Sequence, residues 1–167
     1  IRRRANGTIV GTVMDLILWR HAEAEDGAPD LARRLTPRGE EQAAKVAQWL
    51  QPRLPADFTL LASPAERTQQ TARALAQAAR TRLRTVDALA PGASIADVLA
   101  AAGWPDAPSA VVVVGHQPTM GWVASHLLSG RSQYWSIKRG GAWWFGTGDR
   151  GGELRALLRA VVNPDLI

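Results

Sequence analysis

Val111 to Val114 are four valines in a row, bounded by Ala110 and Gly115, and no other stretch restricts the fold as much. β-Branched side chains favour an extended backbone, and an apolar residue at every position demands burial on both faces. Such a strand belongs inside a sheet covered by helices on both sides. "DLILW" (15–19) has the same unbroken apolar character, and "DFTLLA" (57–62) and "RLRTV" (82–86) are further strand candidates.

Amphipathic segments fall between these runs. Thr36-Pro37 reads as an N-cap and first helical residue. Ala43, Val46, Ala47 and Leu50 follow at helical spacing, and Pro52 stops the helix. "SPAE" (63–66) reads as a capping box, with Thr68, Thr71, Ala72, Leu75, Ala76 and Ala79 on one face behind it. Ser94 and Asp97 form a second box, closed by Gly103 as the C-terminal glycine. Pro118 opens a helix that ends near Gly130. "GAWWFGT" (141–147) reads as a strand, and "ELRALLRAVV" (153–162), whose period is ambiguous, as another. Trp143 and Trp144 then point to opposite faces, so at least one is expected to be exposed.

This alternation predicts a single α/β domain. It has a largely parallel central sheet of about five or six strands flanked by helices on both faces. The length of 167 residues suits one domain. We expect that domain to span 14–167. The segment "IRRRANGTIVGTV" (1–13) is expected to be a disordered extension upstream of a natural start at Met14, and it holds Arg2, Arg3 and Arg4 with no acid. A secretory signal is the weaker reading, because Asp15, Arg20 and His21 interrupt its apolar run. No stretch reaches the roughly 20 apolar residues of a membrane span. With no cysteine, a disulfide framework and a thiolate metal site are excluded. The net charge is +5, but no nucleic-acid-binding motif accompanies it. A cytoplasmic monomer without membrane or nucleic-acid partners is therefore expected.

In open parallel sheets, ligands bind beyond the carboxyl ends of the strands. Arg20 and His21 follow the first strand there. Arg67 lies at the start of the helix after the second, and His116 directly follows the valine strand. Parallel strands would deliver all four side chains to one edge. Two imidazoles and two guanidiniums with no carboxylate in the same motifs make a poor core and a good pocket for phosphate-like anions. A cation in the first turn of a helix is mildly unfavourable, which makes sense for Arg67 if it binds an anion that the helix end also attracts. A metal site is a poor rival, since the histidines lack i, i+4 spacing and the arginines would repel a cation. Arg33, Arg34 and Lys138 read as ordinary surface charge, and His126, in mid-helix, as structural.

"LILWRHAEAED", "LTPRGEEQA", "LLASPAERTQQTA" and "VVVVGHQPT" together resemble the histidine phosphatase superfamily, which includes the phosphoglycerate mutases. The specific resemblance is to its short SixA-like branch of phosphohistidine phosphatases, which tolerates R-H-A in place of R-H-G. It covers nearly all of 14–162. It implies a phosphoglycerate mutase-like fold and a hydrolase that needs no metal or cofactor. His21 would be the nucleophile that forms a phosphohistidine intermediate. Arg20 and Arg67 would hold the phosphoryl oxygens, and His116 would donate a further hydrogen bond.

Larger members of the superfamily supply an acid to an oxygen leaving group, and no convincing equivalent is found here. Asp87, in "TVDALAPGAS", lies in roughly the right region and is the candidate proton donor, though no motif anchors it. Glu23, Glu25 and Asp26 follow the nucleophile without an implied role. General-acid help is typically worth about 10²–10⁴-fold. An imidazole leaving group, whose conjugate acid has a pKa of about 6.5, needs it far less than an alcohol does. The expected substrate is therefore phosphohistidine on a signalling or carrier protein. The alternatives are a small phosphomonoester, or a non-catalytic module that binds phosphate.

Overall fold

The structure is a computed structural model that describes residues 14–150 and 153–167. The expectation for 1–13 lies outside the described residues. Six strands form one sheet: β1 (Asp15–Arg20), β2 (Thr59–Ala62), β3 (Leu83–Thr85), β4 (Val111–Gly115), β5 (Ala142–Arg150) and β6 (Glu153–Val162). Their order is β3-β2-β4-β1-β5-β6. The first four are mutually parallel, and β5 and β6 close one side as an antiparallel hairpin. Four helices connect them: α1 (Pro37–Leu50), α2 (Glu66–Ala79), α3 (Ile95–Ala102) and α4 (Thr119–Ser129). The ambiguous segment 153–162 is a strand, as expected.

Two-sided burial explains the unbroken apolar runs. Ile17, Trp19, Val112 and Val114 pack with Val46, Leu50, Ala72 and Leu75 of α1 and α2. Leu16, Leu18, Val111 and Val113 pack with Val98, Met120, Val123 and Ala124 of α3 and α4. Trp143 and Trp144 do point to opposite faces, but each meets one of these two cores, so neither is exposed. The expectation of an exposed tryptophan presumed a bare face on the hairpin.

The caps divide. Thr36 accepts from Gly39 N at the start of α1, and Ser94 with Asp97 forms a complete capping box on α3. Gly103 and Gly130 end α3 and α4 in left-handed conformations (φ 66° and 71°) that glycine adopts without strain. Pro118 is the N-cap of α4, one residue before the helix proper. The capping box expected at Ser63–Glu66 is absent. α2 begins at Glu66, its N-cap is Ala65, and no side chain caps it. The hydroxyl of Ser63 has a different partner, described below. Its backbone carbonyl still serves α2, accepting from Thr68 Oγ1 at 2.9 Å and Gln69 Nε2 at 2.6 Å.

The order of the strands positions the site. β4 lies between β2 and β1, and Arg20 pairs with Gly115 while Ala62 pairs with Val114. The residues that follow therefore emerge side by side. His21 N donates to Gly115 O at 3.0 Å, and Ser63 N donates to Val114 O at 3.2 Å. His21, Ser63 and His116 leave three neighbouring strands at one level of the same edge.

Candidate active site

The rings of His21 and His116 stand 5.5 Å apart between centroids. Arg67 Nη2 lies 3.4 Å from His116 Nδ1. Arg20, on the same edge, donates from Nη1 to the carbonyl of Ile137 at 2.7 Å. The four side chains read from the sequence thus share one edge, at the ends of β1 and β4 and the start of α2.

His21 is held from several directions. Its Nδ1 is 2.7 Å from Ala22 O. A carbonyl can only accept, so Nδ1 carries the proton and Nε2 keeps a lone pair. The backbone beyond is pinned: Ala22 N donates to Thr71 Oγ1 at 3.1 Å, and Glu23 N to Gln42 Oε1 at 3.0 Å. Thr36 N donates to Glu23 O, and a Cβ added at Gly39 would collide with that same carbonyl. The glycine of "LTPRG" therefore lets α1 close on the loop that carries the histidine.

Electrostatics keep both imidazoles neutral. Burial pushes the pKa of His21 down to about 4, and the cations of Arg67, Arg20 and Arg33 push the same way. Burial likewise pushes His116 down to about 3, helped by His21 and Arg67. Burial, then repulsion from Arg139, also lowers Arg20 from its ordinary value. Arg67 is almost wholly buried, and Nε of both arginines is a buried donor without an acceptor. Buried N–H groups are normally paired, so two orphans on one edge fit an incoming oxygen anion.

Two side chains were not foreseen. Asp30, in a short 3₁₀ turn (Asp30–Ala32) of the loop after β1, accepts from Arg67 at both its backbone carbonyl (2.7 Å) and Oδ2 (3.0 Å). Hydrogen bonds from Arg33 and then Arg67 hold its carboxyl below the usual range. The pocket therefore does contain a carboxylate, supplied from outside the motifs. Nothing local in the sequence marked it, because the contact depends on how the loop folds back over α2. Ser63 Oγ lies 2.7 Å from His116 Nε2. The signal for Ser63 was present, since it ends a strand at the same edge as the other site residues, but its spacing to Glu66 suggested a helix cap.

The remaining candidates are placed elsewhere. Asp87 is exposed, in a 3₁₀ turn (Asp87–Leu89) after β3, at the same sheet edge but on its outermost parallel strand. Arg33 pairs with Asp30 at 3.0 Å, and Lys138 pairs with Asp165 at 2.8 Å. Arg34 is exposed. His126 is exposed on α4, near Leu99 and Trp104.

A neutral imidazole with a free lone pair thus stands among guanidiniums and a second imidazole, an arrangement suited to an oxygen anion. Residues 16–90 match the model of the histidine phosphatase superfamily, branch 1. The chain is 37% identical over 136 residues to an uncharacterized protein of Picosynechococcus sp., covering 77% of this chain and 82% of that one. The SixA protein of Nakamurella multipartitia superposes with a TM-score of 0.77 at 29% identity, over 91% of this chain and 96% of that one. The SixA protein of Agrobacterium tumefaciens gives 0.74 at 23% identity, over 93% and 99%, a likeness of fold. The chain belongs to the histidine phosphatase superfamily. Within it, the chain is SixA-like, with the phosphoglycerate mutase-like fold.

Proposed function

We propose that this phosphatase works through a covalent phosphohistidine on His21 and removes phosphoryl groups from phosphohistidine on a signalling or carrier protein. The observation that carries the mechanism is the state of His21. The proton sits on Nδ1, donated to Ala22 O, so the Nε2 lone pair is available, and burial keeps the ring neutral. In the first step Nε2 bonds to phosphorus as the P–N bond of the substrate breaks, and the released imidazole takes a proton from solvent. Water then attacks the phosphorus, breaks the bond to His21 and releases inorganic phosphate. Arg20, Arg67 and His116 stabilise the three phosphoryl oxygens throughout.

The substrate follows from the leaving group. Asp30 is held as a carboxylate by two arginines, so it is a poor acid. Asp87 is the remaining candidate for that role. A substrate whose leaving group is an imidazole makes little demand on either. A groove beside Arg67, lined by Pro29, Leu31 and Pro64, leaves room for the surface of a docked protein. We further read the chain as a cytoplasmic monomer. Among the described residues no helix is long and apolar enough to cross a membrane.

The test compares turnover of a phosphohistidine-bearing protein with that of small phosphomonoesters, in the wild type and in His21→Ala. The proposal expects preference for the protein, at least about 10⁴-fold loss in the variant, and retained binding of inorganic phosphate. Preference for the esters would change the substrate. Equal behaviour of the two proteins would leave a phosphate-binding module.

A further inference from the structure

The chain holds a single tyrosine, Tyr134, in the connection between α4 and β5. That connection runs along the site. Trp135 O accepts from Gln117 Nε2 at 2.7 Å, one residue beyond His116. Ile137 O accepts from Arg20, and Gly140 N donates to His21 O at 3.0 Å. Tyr134 sits between two anchored neighbours. Gln133 N donates to Ser125 Oγ at 2.9 Å, and a Cβ added at Gly121 would collide with Trp135 O, so α4 grips the backbone on either side. Trp135 turns its ring inward, against Trp143 and the core below. Tyr134 is left 66% exposed, and its hydroxyl has no hydrogen-bond partner among the described residues. Burial and then Arg139 lower the pKa of Arg20, whereas Tyr134 raises it, so the phenol lies within electrostatic reach of that guanidinium.

An exposed aromatic side chain needs no explanation by itself. A ring held by a pinned backbone beside a phosphate-binding guanidinium is a different matter. Tyrosine has only two side-chain torsions, so ordering its ring on a ligand costs little entropy. In phosphoryl transfer the nucleophile and the leaving group lie roughly in line, so the leaving group extends from phosphorus away from His21. In the phosphohistidine reading that group is an imidazole, a flat aromatic ring, and paired aromatic rings attract each other beyond their burial. We infer that Tyr134 is a specificity-determining residue, whose ring stacks on the leaving imidazole of the substrate while Arg20 holds the phosphoryl group. Selection and chemistry are then divided. The guanidiniums and imidazoles of the pocket read the phosphoryl group, which every phosphorylated compound shares. The tyrosine reads what that group is attached to.

The inference rests on the phosphohistidine reading, and one set of rates separates the two. The wild type, Tyr134→Ala and Tyr134→Phe are compared on phosphoimidazole and on phosphoramidate, which share the P–N bond but not the ring. The readout is the ratio of kcat/KM for the first compound to kcat/KM for the second. That ratio should fall about three- to tenfold in Tyr134→Ala, through a higher KM for phosphoimidazole. It should be retained in Tyr134→Phe, which keeps the ring. A phosphohistidine-bearing protein should rank the three proteins in the same order. An unchanged ratio in Tyr134→Ala overturns the inference. So does a Tyr134→Phe protein that loses as much as Tyr134→Ala, because the hydroxyl and not the ring would then be responsible. A wild type that cleaves neither compound would refute the phosphohistidine reading and this inference with it. An active wild type whose ratio ignores Tyr134 would refute the role of the tyrosine alone.

Discussion

The two halves of the sheet are built by different rules. β3, β2, β4 and β1 are parallel, the inner strands β4 and β1 are buried on both faces, and their carboxyl ends hold the candidate site. β5 and β6 form an antiparallel hairpin, and β6 runs along the sheet edge with Leu154, Leu157, Leu158 and Val161 substantially exposed. The hairpin nevertheless supports the site indirectly, because β5 pairs with β1 along its length and Gly141 O accepts from Arg20 N. The contrast separates placing a group from making it reactive. The register of the parallel strands sets His21, Ser63 and His116 side by side, and the carbonyl of Ala22 in the following loop then fixes the proton of His21 on Nδ1.

Core substitutions should expose the difference most strongly. Leu18 is fully buried in β1, and Leu18→Ala should cost about 2–5 kcal/mol of unfolding free energy. Leu157, 54% exposed in β6, should cost less than about 0.5 kcal/mol on the same change. Chemical denaturation of both variants checks the pair, and equal losses would break the comparison.

Acid should act next, between pH 7 and 4 through the two imidazoles of the parallel half. The folded pKa values of His21 and His116 lie at about 4 and about 3, below the ordinary 6.5. Between these limits the unfolded chain binds protons that the folded protein refuses, so stability rises with pH there and is lost as pH falls below 6.5. Each imidazole contributes a slope of up to about 1.4 kcal/mol per pH unit. Denaturation midpoints from pH 7 down to pH 4 should fall steadily, and His116→Gln should flatten the curve. An unchanged slope in that variant would show that His116 is not held neutral by the fold.

Much of this division was legible in the chain. Val111–Val114 and Leu16–Trp19 announced two-sided burial, and the parallel sheet they imply brings His21 and His116 to one edge. Thr36 and Ser94 cap helices as their spacing suggests. Ser63 has the same kind of spacing and does not, because a buried histidine competes for its hydroxyl. Local pattern cannot reveal that competitor, since 53 residues separate the partners. Asp30 was hidden for the same reason, as its contact with Arg67 spans 37 residues and depends on the path of an irregular loop. The edge strand was ambiguous because its exposed leucines blur the alternation that marks a half-buried strand.

The smallest effect concerns that loop. Asp30 Oδ2 occupies Arg67 Nη2, and the carboxylate is half exposed. Asp30→Asn should remove a competitor for the arginine and tighten inorganic phosphate by up to about fivefold, the scale of an exposed ion pair. Calorimetric titration with phosphate checks this, and weaker binding would mean that Asp30 orients Arg67 more than it competes for it.

The central claim is that His21 Nε2 bonds to phosphorus during turnover. Rapid quenching of the wild-type protein with a radiolabelled phosphohistidine-bearing substrate, followed by peptide mapping, tests it directly. The account predicts label on His21 that is stable to base and lost in acid. Turnover that proceeds with no label on His21, or with label on another residue, would contradict it.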